Sequence, residues 1–155
     1  MKDKNCLIFG GSGQIGRYLI RKLTANNIRV TVVTRNIHQK SFKIKTQGNA
    51  GYIEIVEANI FNETKIRELF EKADICINLV GILFEKKKGN SFDNIHCRFP
   101  LILAKLCKEY NLKQFIHVSA LGINQAKDSK YANSKLNGEI SILKNFPLVT
   151  ILRPS

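Results

Sequence analysis

No uncharged apolar run in the 155-residue chain approaches the roughly 18 residues that a membrane-spanning helix needs. The basic opening MKDKNCLIFGG has only the apolar run Cys6–Phe9 ahead of its glycines, too short for the core of a secretory leader. The chain therefore reads as cytoplasmic, with no transmembrane segment. Cys6, Cys76, Cys97 and Cys107 show no CxxC spacing, and two of them lie in apolar runs. They read as unpaired core residues of a reducing compartment. His38, His96 and His117 are scattered, none at helical spacing from another histidine or a cysteine, which argues against a metal site. There is no internal repeat and no low-complexity linker, and the length suits one domain with a real core rather than two.

Acidic residues are also scarce. Twelve Asp and Glu stand against 25 Lys and Arg, for a net charge of +13, and none falls between Asp3 and Glu54. The basic excess does not by itself point to a nucleic acid. Lys, Asn and Ile, all with A/T-rich codons, supply 18, 15 and 20 residues, and no basic stretch is interleaved with aromatics. EKKKGN (Glu85–Asn90) reads as a solvated loop. Nucleic acid is not expected as a partner.

What the chain does have is alternation. Runs rich in Ile and Val at Cys6–Phe9, Val30–Thr34, Tyr52–Val56, Ile75–Val80, Phe115–Ser119 and Leu148–Leu152 read as strands covered on both faces. Between most of them lie helical stripes. Ile15, Leu19 and Leu23 recur with Arg17, Arg21 and Lys22 opposite. Ile66, Leu69, Phe70 and Ala73 follow Asn62, a candidate N-cap. Phe99, Leu103, Cys107 and Tyr110 form a third stripe, bent or restarted at Pro100. Leu136, Ile140 and Leu143 form a fourth. Only residues 36–51 lack a clear period and read as a loop or a poor helix. The pattern predicts an α/β fold of three layers, a doubly wound Rossmann domain over residues 1–155 with a six-stranded parallel sheet in the order 3-2-1-4-5-6.

The first strand runs into Gly10-Gly11-Ser12-Gly13-Gln14-Ile15-Gly16, where a helix begins. Gly10 can take the turn, Gly13 lets backbone approach a pyrophosphate with no Cβ in the way, and Gly16 allows close helix packing. The first-turn amides then face the anion. This position after the first strand makes the loop a dinucleotide site rather than a plain turn. Gly10, Gly13 and Gly16 satisfy GxxGxxG, while Gly11, Gly13 and Gly16 also satisfy GxGxxG. A site for NAD needs a carboxylate about 20 residues past the glycines to hold the ribose 2′-OH. The acid-free stretch supplies none. Arg35 stands there instead, 19 residues after Gly16, able to grip a 2′-phosphate bidentately, which points to NADP(H) over NAD(H).

In SKYANSKLNGE, Tyr131 and Lys135 are one turn apart on a helix capped by Asp128 or Ser129. An ammonium beside a phenol favours the phenolate and lowers its pKa from about 10. The same lysine can bond the nicotinamide ribose.

FIHVSALG (Phe115–Gly122), YANSKLNGE (Tyr131–Glu139) and FPLVTILRPS (Phe146–Ser155), with GxxGxxG in front, resemble the atypical and extended short-chain dehydrogenase/reductases. Within that superfamily they are similar to the group around the nucleotide-binding accessory subunit of respiratory NADH:ubiquinone oxidoreductase (complex I) and its bacterial relatives. The likeness covers nearly the whole chain and is weakest over residues 36–51. It implies that Gly10, Ser12, Gly13, Gln14, Ile15 and Gly16 hold pyrophosphate and that Arg35 reads the 2′-phosphate. It further implies adenine contacts at Asn59 and Ile60, and a cofactor lying along Leu79, Val80 and Gly81, with Pro154 the last cofactor-side residue. A partner is implied too, complex I or another protein, and with it a position peripheral to the inner membrane.

Three departures from the family pattern bear on catalysis. Active members place Ser or Thr just past strand five, where this chain has Ala120, with Ser119 one residue early. Asn59 replaces the usual Asp. The family also continues past strand six into a lobe that closes over substrate, which a chain ending at Ser155 lacks. Three functions remain open: an NADP(H)-binding protein whose cofactor is structural or assembly-related; an NADP(H)-dependent oxidoreductase or epimerase with Tyr131 as general acid, Lys135 as its tuner and Ser119 as polariser; and an NADPH-sensing regulator. Ala120 and the absent lobe favour the first and third. The Tyr131–Lys135 pair favours the second, although ribose binding explains that pair as well.

Overall fold

The structure, a computed structural model, describes residues 4–86 and 89–155; Lys87 and Lys88 of the EKKKGN stretch lie outside the described residues. Strands β1 (Asn5–Phe9), β2 (Arg29–Thr34), β3 (Ile53–Glu57), β4 (Ile75–Asn78), β5 (Gln114–Val118) and β6 (Thr150–Leu152) alternate with helices α1 (Gln14–Ala25), α2 (Ile37–Lys45), α3 (Glu63–Phe70), α4 (Phe99–Glu109) and α5 (Lys130–Asn145). The six strands make one sheet in the order β3-β2-β1-β4-β5-β6, as the alternation predicted. β1 pairs in parallel with β2 and β4, β2 with β3, and β5 with β6. The chain divides into two compact units, Met1–Leu79 and Val80–Ser155. No described helix is long and apolar enough to cross a membrane.

In the first unit, Cys6, Leu7, Ile8 and Phe9 of β1 are fully buried between β2 and β4, which explains their unbroken apolar run. β3 departs from that expectation. It is half-exposed, because it lies at the sheet edge with a single neighbour. The buried face of α1 is Gly16, Ile20 and Thr24 rather than the predicted Ile15, Leu19 and Leu23, and Ile15 is 50% exposed. Residues 36–51 do contain a helix, α2. Asn36 Oδ1 accepts from the Gln39 N–H at 3.1 Å, and Ile44 is its one buried residue, so no periodic stripe was there to read. Asn62 caps α3 as expected, accepting from the Lys65 N–H at 3.2 Å.

In the second unit, a π-helical segment, Asp93–Arg98, runs into α4, with Pro100 in the first turn of α4. The backbone stays helical through Arg98 and Phe99, with the Phe99 N–H on the Asn94 carbonyl five residues back, so the donor that Pro100 lacks falls where the π-helical turn meets α4. Phe99, Leu103 and Cys107 are buried as the stripe predicted. Ser129, one of the two cap candidates, caps α5 through the Ala132 N–H at 3.2 Å. The predicted apolar face of α5 is the wrong one. Ala132, Ser134, Lys135, Gly138, Glu139 and Ile142 point inward, while Ile140 is 56% exposed and Leu143 is 44% exposed. Polar side chains can occupy the inner face because each finds a partner there, and Gly138 lets α5 close onto the π-helical segment. A Cβ at Gly138 would overlap the His96 carbonyl oxygen.

Helix propensity alone would make Gly138→Ala stabilising by about 1 kcal/mol. Overlap with backbone that cannot rotate away outweighs it, so the variant is expected to lose roughly 1–3 kcal/mol in chemical denaturation. A midpoint unchanged or raised would show that the two segments are not in that contact.

Candidate functional site

In the first unit, the parallel course of β1 to β4 brings the residues that follow each strand to one edge. Gly10 leaves β1 with φ +83°, the left-handed region that glycine enters without strain. The Gly13 N–H returns to the Gly10 carbonyl at 3.1 Å, and a Cβ on Gly13 would stand 3.3 Å from that oxygen. Gly13 is the N-cap of α1 and has no side chain to accept from the first turn. The N–H groups of Gln14, Ile15 and Gly16 have no intrahelical partner, and they sit at the positive end of the helix dipole. Gly16 packs on the backbone of Gly11, 2.5 Å from where its Cβ would be, and a Cβ on Gly11 would stand 2.6 Å from Val32 Cγ1. Turn and packing thus fall to Gly10 and Gly16, with Gly11 as the surface that Gly16 meets and Gly13 as the N-cap between them.

Arg17, assigned to the solvent face by periodicity, is half-buried, and its Nε is buried with no hydrogen-bond partner. A cationic donor left over one residue past the glycines suits an anion. Arg35 follows β2 and is exposed. The Ile37 N–H, at the start of α2, donates to Glu57 Oε2 at 3.0 Å, and Glu57 ends β3 opposite Thr34. A carboxylate that the local sequence lacks therefore arrives from the neighbouring strand. After β3, Asn59 Oδ1 accepts from the Phe61 N–H at 3.0 Å, so its side chain shapes the turn, and Ile60 is buried. Leu79 extends β4, its N–H reaching the Phe9 carbonyl at 2.9 Å.

In the second unit, half-buried Val80 and exposed Gly81 open the chain toward His96 and Lys135. A Cβ on Gly81 would stand 3.3 Å from Lys135 Nζ and 3.7 Å from His96 Nε2. His96 is buried and was not singled out by the sequence. Its Nε2 accepts from the Ile82 N–H at 3.0 Å, so the proton resides on Nδ1, which donates to Ser134 Oγ at 2.8 Å. Ser134 Oγ in turn donates to the Tyr131 carbonyl at 2.7 Å. Burial, then the Lys135 charge, pushes the His96 pKa down to about 4. Its ring stacks on Phe92 and meets Tyr131 edge-on, each with centroids 5.4 Å apart.

Tyr131 and Lys135 do share α5, but the expected lowering of the phenol is absent. Burial raises the Tyr131 hydroxyl instead. The ammonium is turned elsewhere: Lys135 Nζ donates to the Val118 carbonyl at 3.2 Å, and its pKa is lowered by burial against the opposing pull of Glu139. Burial would raise the Glu139 carboxyl, but hydrogen bonds from Arg153, with Ser119 beside it, hold it below the usual range. Arg153 grips Glu139 with two bonds, Nε to Oε1 at 2.9 Å and Nη2 to Oε2 at 2.5 Å. Ser119 is buried. Its Oγ lies near Glu139 without the geometry of a full hydrogen bond, so it faces the interior. Ala120 is half-buried, and exposed Pro154 accepts from the Leu121 N–H at 3.0 Å.

Residues 6–141 match a family profile described as the NAD dependent epimerase/dehydratase family. The chain is 28% identical over 148 residues to the mitochondrial NADH-ubiquinone oxidoreductase 40 kDa subunit of Neurospora crassa. It is likewise 28% identical to the mitochondrial NADH dehydrogenase (ubiquinone) 1 alpha subcomplex subunit 9 of Mus musculus. Each alignment covers 96% of this chain and 39% of the relative, so the chain spans about two fifths of their length. Among solved structures, the UDP-glucuronic acid 4-epimerase of Bacillus cereus in complex with NAD superposes with a TM-score of 0.77 at 22% identity, over 96% of this chain and 55% of that one. That likeness is one of fold.

Burial also gives a pH dependence. His117 is pushed down to about 3, by burial first and Lys135 second, and His96 to about 4. Unfolded histidine titrates near about 6.5, so below that pH the unfolded chain binds the extra protons. Stability is complete at neutral pH and falls as pH drops toward the folded values. His96→Gln, which keeps an acceptor for the Ile82 N–H, is expected to remove roughly 1–2 kcal/mol of the loss between about pH 6.5 and about pH 5. Identical slopes for native protein and variant, by denaturation at each pH, would show that His96 is not held neutral.

Proposed function

We propose, because this chain belongs to the NAD dependent epimerase/dehydratase family, that it binds a nicotinamide dinucleotide, NADP(H) in preference to NAD(H), chiefly in a structural or assembly role. The observation that carries the reading is the glycine turn. A Cβ at Gly13 would stand 3.3 Å from the Gly10 carbonyl inside that turn, and Arg17 brings a buried, unpartnered Nε to it. Gly10, Ser12, Gly13, Gln14, Ile15 and Gly16 would hold the pyrophosphate, and Arg35 the 2′-phosphate. Asn59 and Ile60 would border adenine. Leu79, Val80, Gly81, Tyr131, Lys135 and Pro154 would line the nicotinamide half. When bound, the nicotinamide supplies hydride chemistry; what this chain's residues do is bind and orient it.

The structural role is supported by the second unit. Ala120 has no hydroxyl, Ser119 faces inward, burial makes Tyr131 a weaker acid, and Lys135 is engaged with backbone. A cofactor held without turnover stabilises the state that binds it by mass action. The relatives named as subunits of NADH dehydrogenase point to a respiratory complex of that kind as partner, with peripheral membrane association through it. A second reading, an oxidoreductase or epimerase, is favoured by one observation: Tyr131 and Lys135 are retained one turn apart on α5.

Hydrogen bonds to a charged group contribute roughly 1.5–3 kcal/mol each, so native protein should bind NADPH about ten- to a hundredfold tighter than NADH. Arg35→Ala should close that gap in calorimetric titration. Equal affinities in the native chain would refute the preference. Turnover assays with carbonyl and nucleotide-sugar substrates decide the second reading: activity abolished by Tyr131→Phe would establish it, and activity that survives the change would eliminate Tyr131 chemistry.

A further inference from the structure

We infer that Glu57 is a second specificity residue of the proposed site, a carboxylate that opposes the 2′-phosphate attracted by Arg35 and tempers the preference for NADP(H). The inference rests on the dinucleotide reading above. It starts from strand register. Thr34 at the end of β2 lies opposite Glu57 at the end of β3, and the Ala58 N–H continues the pairing to the Thr34 carbonyl at 3.0 Å. Arg35 and Glu57 therefore leave the sheet from neighbouring strands at the same edge. The exposed Glu57 carboxylate is nonetheless anchored. Its Oε2 accepts from the Ile37 N–H at 3.0 Å, the first residue of α2, while Asn36 Oδ1 takes the Gln39 N–H at 3.1 Å.

Two consequences follow for a ribose read at this edge. Two amides at the start of α2, those of Ile37 and Gln39, which an incoming phosphate would otherwise use, are already engaged by a carboxylate and an amide of the protein. The fixed negative charge also repels a 2′-phosphate, yet it can accept a hydrogen bond from a 2′-hydroxyl. The chain thus carries both halves of the usual discrimination, the cation in sequence and the carboxylate across the sheet. Arg35 and Glu57 are both exposed, so the effect is of solvent-screened size. In water a unit charge about 4 Å from another shifts an equilibrium by about fivefold, and a phosphate dianion raises that to about 25-fold.

Glu57→Gln separates charge from structure, because its amide oxygen still accepts from the Ile37 N–H. NADPH and NADH are titrated against the full chain as native protein, Glu57→Gln and Arg35→Ala, at low salt and at high salt. Glu57→Gln is expected to bind NADPH roughly five- to 25-fold tighter at low salt, with NADH not strengthened and the gain shrinking as salt rises. An unchanged NADPH affinity would overturn the inference, as would NADPH and NADH moving together, which marks a structural role for Glu57. Should Gln perturb α2 in a thermal melt, Glu57→Thr, uncharged and suited to a strand, gives the same comparison. If the native chain binds neither dinucleotide, the site reading fails and this inference with it. If the native chain discriminates through Arg35 and Glu57→Gln is silent, this inference alone falls.

Discussion

Helix α1 lies against its own turn because two stretches of backbone meet there with no side chain on either. Gly16 rests on Gly11, and Gly11 rests on Val32, each closer than a Cβ would allow. This contact sets where the first turn of α1 points and which face of the helix is buried. It also explains why the inner face of α1 passes through Gly16, Ile20 and Thr24. The helix is rotated to bring its glycine down, and the leucines move to the flank.

The second unit is organised around polar groups taken out of water. Ser134, Lys135 and Glu139 occupy the inner face of α5 and meet His96, the Val118 carbonyl and Arg153. A buried polar group without a partner costs more than a satisfied one contributes, so such a set fixes geometry more than it adds stability. Here it fixes the loop after β4, through the Ile82 N–H on His96, to the same helix that carries Tyr131.

The strands, their order and the glycine turn were legible because they are local: continuous Ile- and Val-rich runs, and glycines at fixed offsets. The caps at Asn62 and Ser129 were legible for the same reason. What escaped was non-local. Glu57 reaches Ile37 from another strand, and His96 reaches Ser134 across 38 residues. No periodicity marks such contacts. The inner face of α5 is not legible, because its leucine and isoleucine mark the outer flank while polar residues with distant partners occupy the inside. The i, i+4 spacing predicts a lowered Tyr131 phenol, but Lys135 donates to the Val118 carbonyl and burial raises the phenol instead. Helix α2 was illegible for a plainer reason, since one buried residue makes no pattern.

β6 is three residues long, and β5 is its one neighbour in the sheet. So short a strand is held weakly by its own ladder. The two-pronged grip of Arg153 on a carboxylate sunk in α5 moves the anchor from the ladder to a helix. The backbone beyond Leu152 is therefore steered from two sides, by α5 through Arg153 and by the segment after β5 through the Leu121 N–H on the Pro154 carbonyl, like a rudder held at post and tiller.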